Sequence, residues 1–418
     1  MFTFYLQVPE IEDYWKTSWN SSIPFFGNLM PRDRFLEIFW LLHISHPDPS
    51  HPEKMIDKIC ALLELLLAKF QHYFYPSQKL SVDETMVGFR GRFGSTQYTP
   101  KKPVKWGIKS FTLADAETGY MLNIVVYTGA QTLDDADAQF ASLPVLARTV
   151  LHLVNPYLGM GHHIFADRLY SSIPLVQTLA DNQTHFTGTI NKNRIDLPDA
   201  IRAPFTLTDD GTMQFRSEKV MVIAWRAKSK KTPLIMISSF YSAGITQAQT
   251  RKAQEVPKPI AVEEYNKYMN GVDRNDQHCT YYSFIRKTLK WWRKMFFYLL
   301  ECSTVNSYIL YKKACTEAEA RPLTSIDFRR SIIDDLVREH LESSNRQTVG
   351  RPRLRPTPIR LNKKLHLLNQ RSTNRNCVVC SGERRHTTLY YCTTCPEEPA
   401  LHPTTCFERY HTLEHYQL

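Results

Sequence analysis

The sequence predicts an α/β protein: a sheet-and-helix core with a β-rich insertion, flanked by helical segments and closed by a cysteine-rich metal module. Three observations carry this expectation. Between residues 79 and 190, runs of strand character are first contiguous and then alternate with helix-like runs. Before residue 75 and after about 260, apolar residues recur at helical spacing. Five of the nine cysteines fall in the last 42 of 418 residues.

The elements follow in order. "RDRFLEIFWLLHI" (32–44) and "MIDKICALLELLLAKFQHYF" (55–74) read as amphipathic helices, the second buried and interrupted by Glu64 and Lys69. "KLSVDETM" opens a strand, and "WGIKSFTLAD" and "GYMLNIVVYTG" form a hairpin across "AETG". Residues 133–154 read as a helix, 162–167 as a strand, 172–181 as a helix and 185–190 as a strand, giving the order β-β-β-α-β-α-β. Strand-like runs at 220–227 and 233–241 make 191–258 a β-rich insertion. The expected divisions are 1–78 (helical), 79–190 (core), 191–258 (insertion), 259–284 (return to the core), 285–345 (helical), 346–376 (basic linker) and 377–418 (metal module).

Composition narrows the class. A hydrophobic content of 43% and an aromatic content of 12% belong to folded proteins. The net charge of +11 points to a polyanionic partner, nucleic acid before membrane, with plain solubility as the bland alternative. No run is long and apolar enough for a transmembrane helix. The start lacks the basic region and cleavage site of a signal peptide, so an intracellular protein is expected. Cys60, Cys279, Cys302 and Cys315 are scattered and read as ordinary buried thiols.

Aspartates stand where strands end. Asp83 follows "KLSV", Asp167 ends "HHIFA", and Asp273 opens a helix in "NGVDRNDQ", with Asp276 three residues on. If the first and fourth strands are neighbours, Asp83 and Asp167 lie side by side and a packed helix can add Asp273. Three convergent carboxylates give the hard oxygen ligands that one or two Mg²⁺ ions need. Turn and cap duty is the alternative for each of them.

The surrounding words carry more information. "SVDETMVGFRGRFGSTQYTPKKPVKWGIKSFTLADAETGYMLNIVVYTG" (81–129) closely resembles the first catalytic block of piggyBac-type DNA transposases. "FADRLYSSIPLVQTL" (165–179), "GTINKNRIDLP" (188–198) and "YNKYMNGVDRNDQHCTYYSFIRKTLKWWRKMFFYLLECSTVNSYILY" (265–311) resemble the following blocks, and the likeness runs from about residue 14 to the end. The resemblance implies an RNase H-like catalytic domain with catalytic, Mg²⁺-binding aspartates at Asp83, Asp167 and Asp273, Asp276 beside the third, and Glu84 structural. It further implies two catalytic Mg²⁺ ions (Mn²⁺ as a substitute), hairpin-ended excision and TTAA targets on double-stranded DNA. A homodimer is expected because two ends must be held together, and a nuclear location from the DNA substrate and basic segments such as 351–364. The family's acidic N-terminal segment has no counterpart in this sequence. That keeps open a domesticated protein that binds DNA or chromatin without transposing; an unrelated RNase H-like nuclease is a third reading.

Basic residues flank these aspartates. Between Glu84 and Asp115 there is no acid, while Arg90, Arg92, Lys101, Lys102, Lys105 and Lys109 fall within the stretch, which reads as a phosphate-tracking surface. Arg286, Lys287, Lys290, Arg293 and Lys294 interleave with Trp291 and Trp292; a DNA-contacting helix is expected, with at least one tryptophan in a core. "VGRPRLRP" (349–356) reads equally as a minor-groove arm or a flexible linker.

At the end, "CVVC" (Cys377, Cys380) and "CTTC" (Cys392, Cys395) are followed by His402 with Cys406 and His411 with His415. Eight candidate ligands suffice for two tetrahedral Zn²⁺ ions in a cross-brace, although spacing does not fix which pairs join. His386 is a reserve ligand. Read alone, the module fits a RING-like or histone-reading finger as well as a DNA-binding one; the resemblance favours DNA, with His402 standing where the family usually has cysteine.

Overall fold

The computed structural model describes residues 8–18, 20, 22–44, 56–100, 102, 104–129, 132–133, 140–228, 230–249, 255–346, 359–361, 365–380 and 386–417. Two compact units divide the chain at Val337/Arg338.

In the larger unit, helices α1 (Pro24–Leu29), α2 (Arg32–Leu41) and α3 (Asp57–Tyr73) precede the sheet. Strand β1 (Lys79–Gly88) is followed by the short β2 (Gln97–Tyr98), then β3 (Trp106–Asp115) and β4 (Met121–Val126). Helix α4 (Val145–Val154), β5 (His163–Ala166), α5 (Ile173–Asp181) and β6 (His185–Thr189) complete the expected order. The helix expected over 133–154 has its first ordered turn after Pro144, its N-cap residue. A proline there cannot continue a helix running in from upstream; residues 134–139 lie outside the described residues.

Beyond β6, the chain forms α6 (Asp199–Arg202), β7 (Thr212–Ser217), β8 (Val220–Trp225) and β9 (Leu234–Ser238). The expected insertion is not a layer apart. These strands extend the same sheet, whose order is β2-β3-β1-β5-β6-β9-β8-β7 with β4 on β3. The reason is that Ile235, Met236 and Ile237, buried on both faces of β9, need the edge of β6 beside them and helices above and below. Only β10 (Ile245–Gln249) and β11 (Glu255–Pro259) stand off as a two-stranded ribbon.

Strands β1, β5 and β6 run parallel, and β3 is antiparallel to β1. Leu80 and Val82 of β1 join Ile164, Leu153 and Leu175 in the main core, on the face of α4 and α5. The other face takes α7 (Ile260–Tyr268), whose Ala261, Val262, Tyr265 and Tyr268 pack on Phe165 and Met236. Helix α8 (Gly271–Tyr281) lies on the same face, against β1.

Helices α9 (Trp291–Glu317) and α10 (Ser325–Arg346) follow. Asn306 of α9 acts as a surrogate strand: its amide donates to Met121 O and accepts from Met121 N, both at 2.9 Å, which satisfies the edge of β4. Trp291 is buried in the core, as one of the two rings was expected to be. Among the described residues, no helix is long and apolar enough to cross a membrane.

The smaller unit, residues 338–418, contains β12 (Leu368–Asn376), β13 (Thr387–Cys392) and α11 (Thr405–Thr412). The expected linker 346–376 therefore ends in a strand that pairs antiparallel with β13. The "VGRPRLRP" segment lies outside the described residues. Arg360 fixes α11 by donating to the carbonyls of Tyr410, Leu413 and Glu414, at the helix end where a cation is favoured.

Candidate active site and metal centres

The pleat of β1 sets the first site. Ser81, Asp83 and Thr85 alternate with Leu80, Val82 and Glu84, so they point to the face that α8 covers. Val82 pairs in parallel register with Ala166, which puts Asp83 beside Asp167, the residue after β5. The adjacency expected from the sequence is met. Beyond that point β1 has no β5 beside it, and a crevice opens at the carboxyl ends of the parallel strands, the usual place for ligands in open α/β sheets.

Helix α8 reaches this crevice because its first residue is glycine. A Cβ on Gly271 would sit 2.3 Å from Ser81 Oγ and 3.0 Å from Asp115 O, so a larger residue would push the helix off the sheet. The close approach lets Val272 N donate to Ser81 Oγ at 3.2 Å and, one turn on, Thr85 Oγ1 donate to Asp276 Oδ1 at 3.1 Å. Thr112 Oγ1 donates in turn to Thr85 at 3.2 Å. Asp276 is thus the carboxylate of α8 that the sheet grips. Asp273 is exposed in the helix's first turn, where a carboxylate also complements the helix dipole.

The electrostatics suit a cation. Burial pushes the Asp83 carboxyl up to about 8, aided by neighbouring Glu84. Burial likewise raises Asp276 to about 7, with Asp273 adding to it, and raises Asp167. Tyr265 of α7 is pushed up to about 12, first by burial and then by Asp167 and Asp83, which places both carboxylates near it. No described lysine or arginine forms an ion pair with Asp83, Asp167 or Asp276. Asp83 beside Asp167 offers the hard oxygen donors that a divalent ion takes, although among the described residues no three carboxylates are gathered within 4.8 Å as the thiol and imidazole groups below are.

Glu84 shares a side-chain hydrogen bond with Asp83 and, unlike it, is neutralised. Lys109 Nζ lies 3.0 Å from its Oε1, and Lys102 Nζ donates to its backbone oxygen at 3.4 Å. Burial alone would raise Glu84, but Asp83 and Lys109 outweigh it and its pKa falls below the ordinary value. A cleft of about 530 Å³ opens between Glu84 and Asp167, lined also by Arg168, Asn191, Asn193 and Arg194. Sequence reasoning did not single out these last four. "GTINKNRIDLP" was read as a strand, and only the fold brings its polar end to Asp167.

The expected basic surfaces divide. Arg90, Arg92 and Lys105 are exposed, Lys102 and Lys109 serve Glu84, and Lys101 lies outside the described residues. On the α9 side the expectation needs correction. Arg293 is buried at 1% exposure, donating to Phe39 O and Trp40 O in the last turn of α2, and stacks on Phe39. Arg286 donates to Val8 O, Pro9 O and Tyr14 Oη, and Lys294 Nζ donates to Arg286 O. Arg293 thus ties α2 to α9, Arg286 ties the segment before α1 to the turn before α9, and Lys294 braces that turn, so of the set only Lys287 and Lys290 remain exposed.

In the smaller unit two four-donor groups form. Cys377, Cys380, His402 and Cys406 make one; His366, Cys392, Cys395 and His411 make the other, and within each group all ligand atoms lie within 4.8 Å of one another. A tetrahedral ion with ordinary Zn–S and Zn–N bonds separates sulfur from nitrogen by about 3.6 Å. The observed separations are 3.4 Å for Cys380–His402, 3.6 Å for Cys395–His366 and 3.5 Å for Cys395–His411. The two sets interleave along the chain, which is the cross-brace.

His415 belongs to neither group. Helix α11 ends at Thr412 and leaves His415 exposed, and His366, just before β12, takes the fourth place. Cys-x₂-Cys spacing gives no pointer upstream, and His366 stood in a segment read as linker. His386 also lies outside both groups. Burial raises the Cys377 thiol, but backbone N–H groups of Cys380, Val379 and His402 outweigh it and hold it at about 7, favouring thiolate. His411 Nδ1 lies 2.7 Å from Phe407 O, which fixes the ring with Nε2 toward the thiolates.

Comparison with known proteins agrees with this architecture. A family model described as Transposase IS4 matches residues 1–308. Human PiggyBac transposable element-derived protein 3 is 24% identical over 98% of this chain and 68% of its own length. Human PiggyBac transposable element-derived protein 2 is 24% identical over 91% of this chain and 64% of its own. The chain thus spans about two thirds of the length of these relatives. In fold it matches a piggyBac transposase, solved by cryo-EM as a synaptic complex with hairpin DNA, with a TM-score of 0.68 and 23% identity over 78% of this chain and 66% of that one. The chain belongs to the piggyBac-type transposase family.

Proposed function

We propose that this chain is a DNA-processing enzyme that cuts and rejoins phosphodiester bonds at the ends of a mobile element, with TTAA targets, at an RNase H-like site. The observation that carries the reading is that Asp83, inside β1, stands beside Asp167 at the end of β5, while Asp276 of α8 is held to Thr85 two residues further along β1. When bound there, two divalent ions, Mg²⁺ or Mn²⁺, supply an acidified water and neutralise charge on the leaving 3′ oxygen. The rest falls to the chain's own residues. Asp83 and Asp167 are the ligands of the sheet, and α8 supplies the third carboxylate through Asp273 and Asp276, the latter fixed by Thr85. Arg168 and Arg194 beside Asp167 would hold backbone phosphates, which position DNA without reading its sequence.

Double-stranded DNA as partner, a homodimer joining two ends, and a nuclear location belong to the same reading. Support comes from the solved neighbour, a synaptic complex with hairpin DNA. Two Zn²⁺ ions in the interleaved groups would hold the terminal unit together. A second reading, a domesticated DNA-binding protein without transposition, draws support from the human relatives, which are named as transposable element-derived.

The test is an excision assay in cells, with a reporter interrupted by DNA carrying the terminal repeats that flank this gene. Wild type is expected to restore TTAA seamlessly, and Asp273→Asn and Asp276→Asn to lose at least about a hundred-fold. The larger loss identifies the ligand that α8 supplies. Full excision in both variants would sink the role given to α8, and DNA binding without excision in wild type would favour the second reading.

A further inference from the structure

Helix α8 has a second working face. Val272, Asn275 and Cys279 are buried against the sheet and α9, whereas Arg274, His278 and Tyr281 turn toward a groove on the other side. Its far wall is α9, with Tyr308, Lys312 and Lys313 at helical spacing, and Phe74 and Thr118 also line it. The volume is about 740 Å³, larger than the cleft at Asp167 and inside the range of about 300–1,000 Å³ typical of small-ligand sites. The two share no lining residue among the described ones.

Its charge is one-sided. Arg274, Lys312 and Lys313 face the groove beside His278, whose pKa is lowered by burial and by Arg274 and Lys312, and among the described residues Glu117 is the one acid in its wall. No described carboxylate pairs with either lysine. Lys312 Nζ sits 5.9 Å from the Tyr308 ring centre and Lys313 Nζ 5.4 Å from that of Phe74, so both ammonium groups lean on aromatic faces inside the groove. Arg274 Nη1 donates to the carbonyls of Ala116 and Glu117, which anchors the guanidinium and leaves its other N–H groups without a partner among the described residues. An anchored guanidinium beside two lysines favours a phosphate. Flat tyrosine rings alongside, with Tyr281 61% exposed, offer a stacking surface for a base.

We propose that this groove binds a nucleoside phosphate, the phosphate between Arg274, Lys312 and Lys313 and the base against Tyr281 or Tyr308. A free nucleotide and a nucleotide unit of a single strand share that chemistry. The site is independent of the carboxylate crevice and does not rest on the reaction proposed for it.

The test is equilibrium binding to the full chain, without added divalent metal, of ATP and separately of a short oligothymidylate. Inorganic tripolyphosphate serves as competitor. Wild type, Lys312→Glu/Lys313→Glu and Asp167→Asn are compared, with thermal unfolding confirming that each is folded. At least one probe is expected to bind, at least about tenfold more weakly to the double variant and unchanged in Asp167→Asn. Binding of ATP assigns the groove to free nucleotides; binding of the oligonucleotide alone assigns it to a strand. Binding of neither probe, equal binding to the double variant, or tripolyphosphate competing as well as ATP would overturn the proposal.

Discussion

Asp167→Asn is expected to remove DNA strand cleavage by more than about a hundred-fold while leaving thermal stability unchanged or higher. The two effects have one cause. The Asp167 carboxyl is raised by burial and has no ion-pair partner among the described residues, so in the metal-free fold it is a cost. Asparagine keeps the shape and the oxygen that accepts from Leu169 N at 2.7 Å, but it loses the charge that would bind a cation. Loss of even an outer-sphere partner typically costs ten- to a hundred-fold in metal affinity or activity, and a direct ligand should cost more. A stabilised but inactive variant is what functional carboxylates produce. Cleavage of a labelled duplex and a melting curve read both numbers. Inactivity accompanied by a large loss of stability would instead mark Asp167 as a structural turn residue.

The second large effect concerns the smaller unit. Its buried cluster consists of Cys377, Val379, Cys392, Cys395, Leu401 and Cys406, which is mostly thiol and supplies little apolar area. About 80 residues with so small a core need a staple. Structural zinc in comparable modules contributes about 10–16 kcal/mol, more than a unit of this size could spare. Chelation is therefore expected to unfold residues 338–418 and leave 1–337 folded, giving two separate transitions by hydrogen exchange. His366→Ala should reproduce the loss of one ion by elemental analysis, and His415→Ala should keep both. Retention of both ions in His366→Ala would return the fourth ligand to a residue outside the group described.

Much of this was legible in the sequence for identifiable reasons. Strands β1, β3, β4, β5 and β6 show clear runs bounded by turns, and the adjacency of β1 and β5 entered as a condition that the sheet order meets. Asp167 stood out because it follows a strand and Asp273 because it opens a helix, whereas Asp83, expected at a strand end, lies inside β1. What escaped depends on contacts distant in sequence. Arg293 looks like a DNA contact in "KWWRKMFF", but the carbonyl ends of α2, some 250 residues earlier, claim it. Asp276 looks subordinate to Asp273 until Gly271 brings α8 onto Ser81 and Thr85. Strands β7 to β9 read as an insertion because nothing local says that β9 pairs with β6. His366 had no partner at recognisable spacing.

The account depends most on the crevice at β1, β5 and α8 being a cation site. Titrating the zinc-loaded full chain with Mn²⁺, followed by electron paramagnetic resonance, measures this directly. Wild type is expected to immobilise Mn²⁺ at one or two sites that Mg²⁺ displaces, and Asp83→Asn/Asp167→Asn is expected to immobilise none. Equal Mn²⁺ binding by wild type and the double variant would contradict the account.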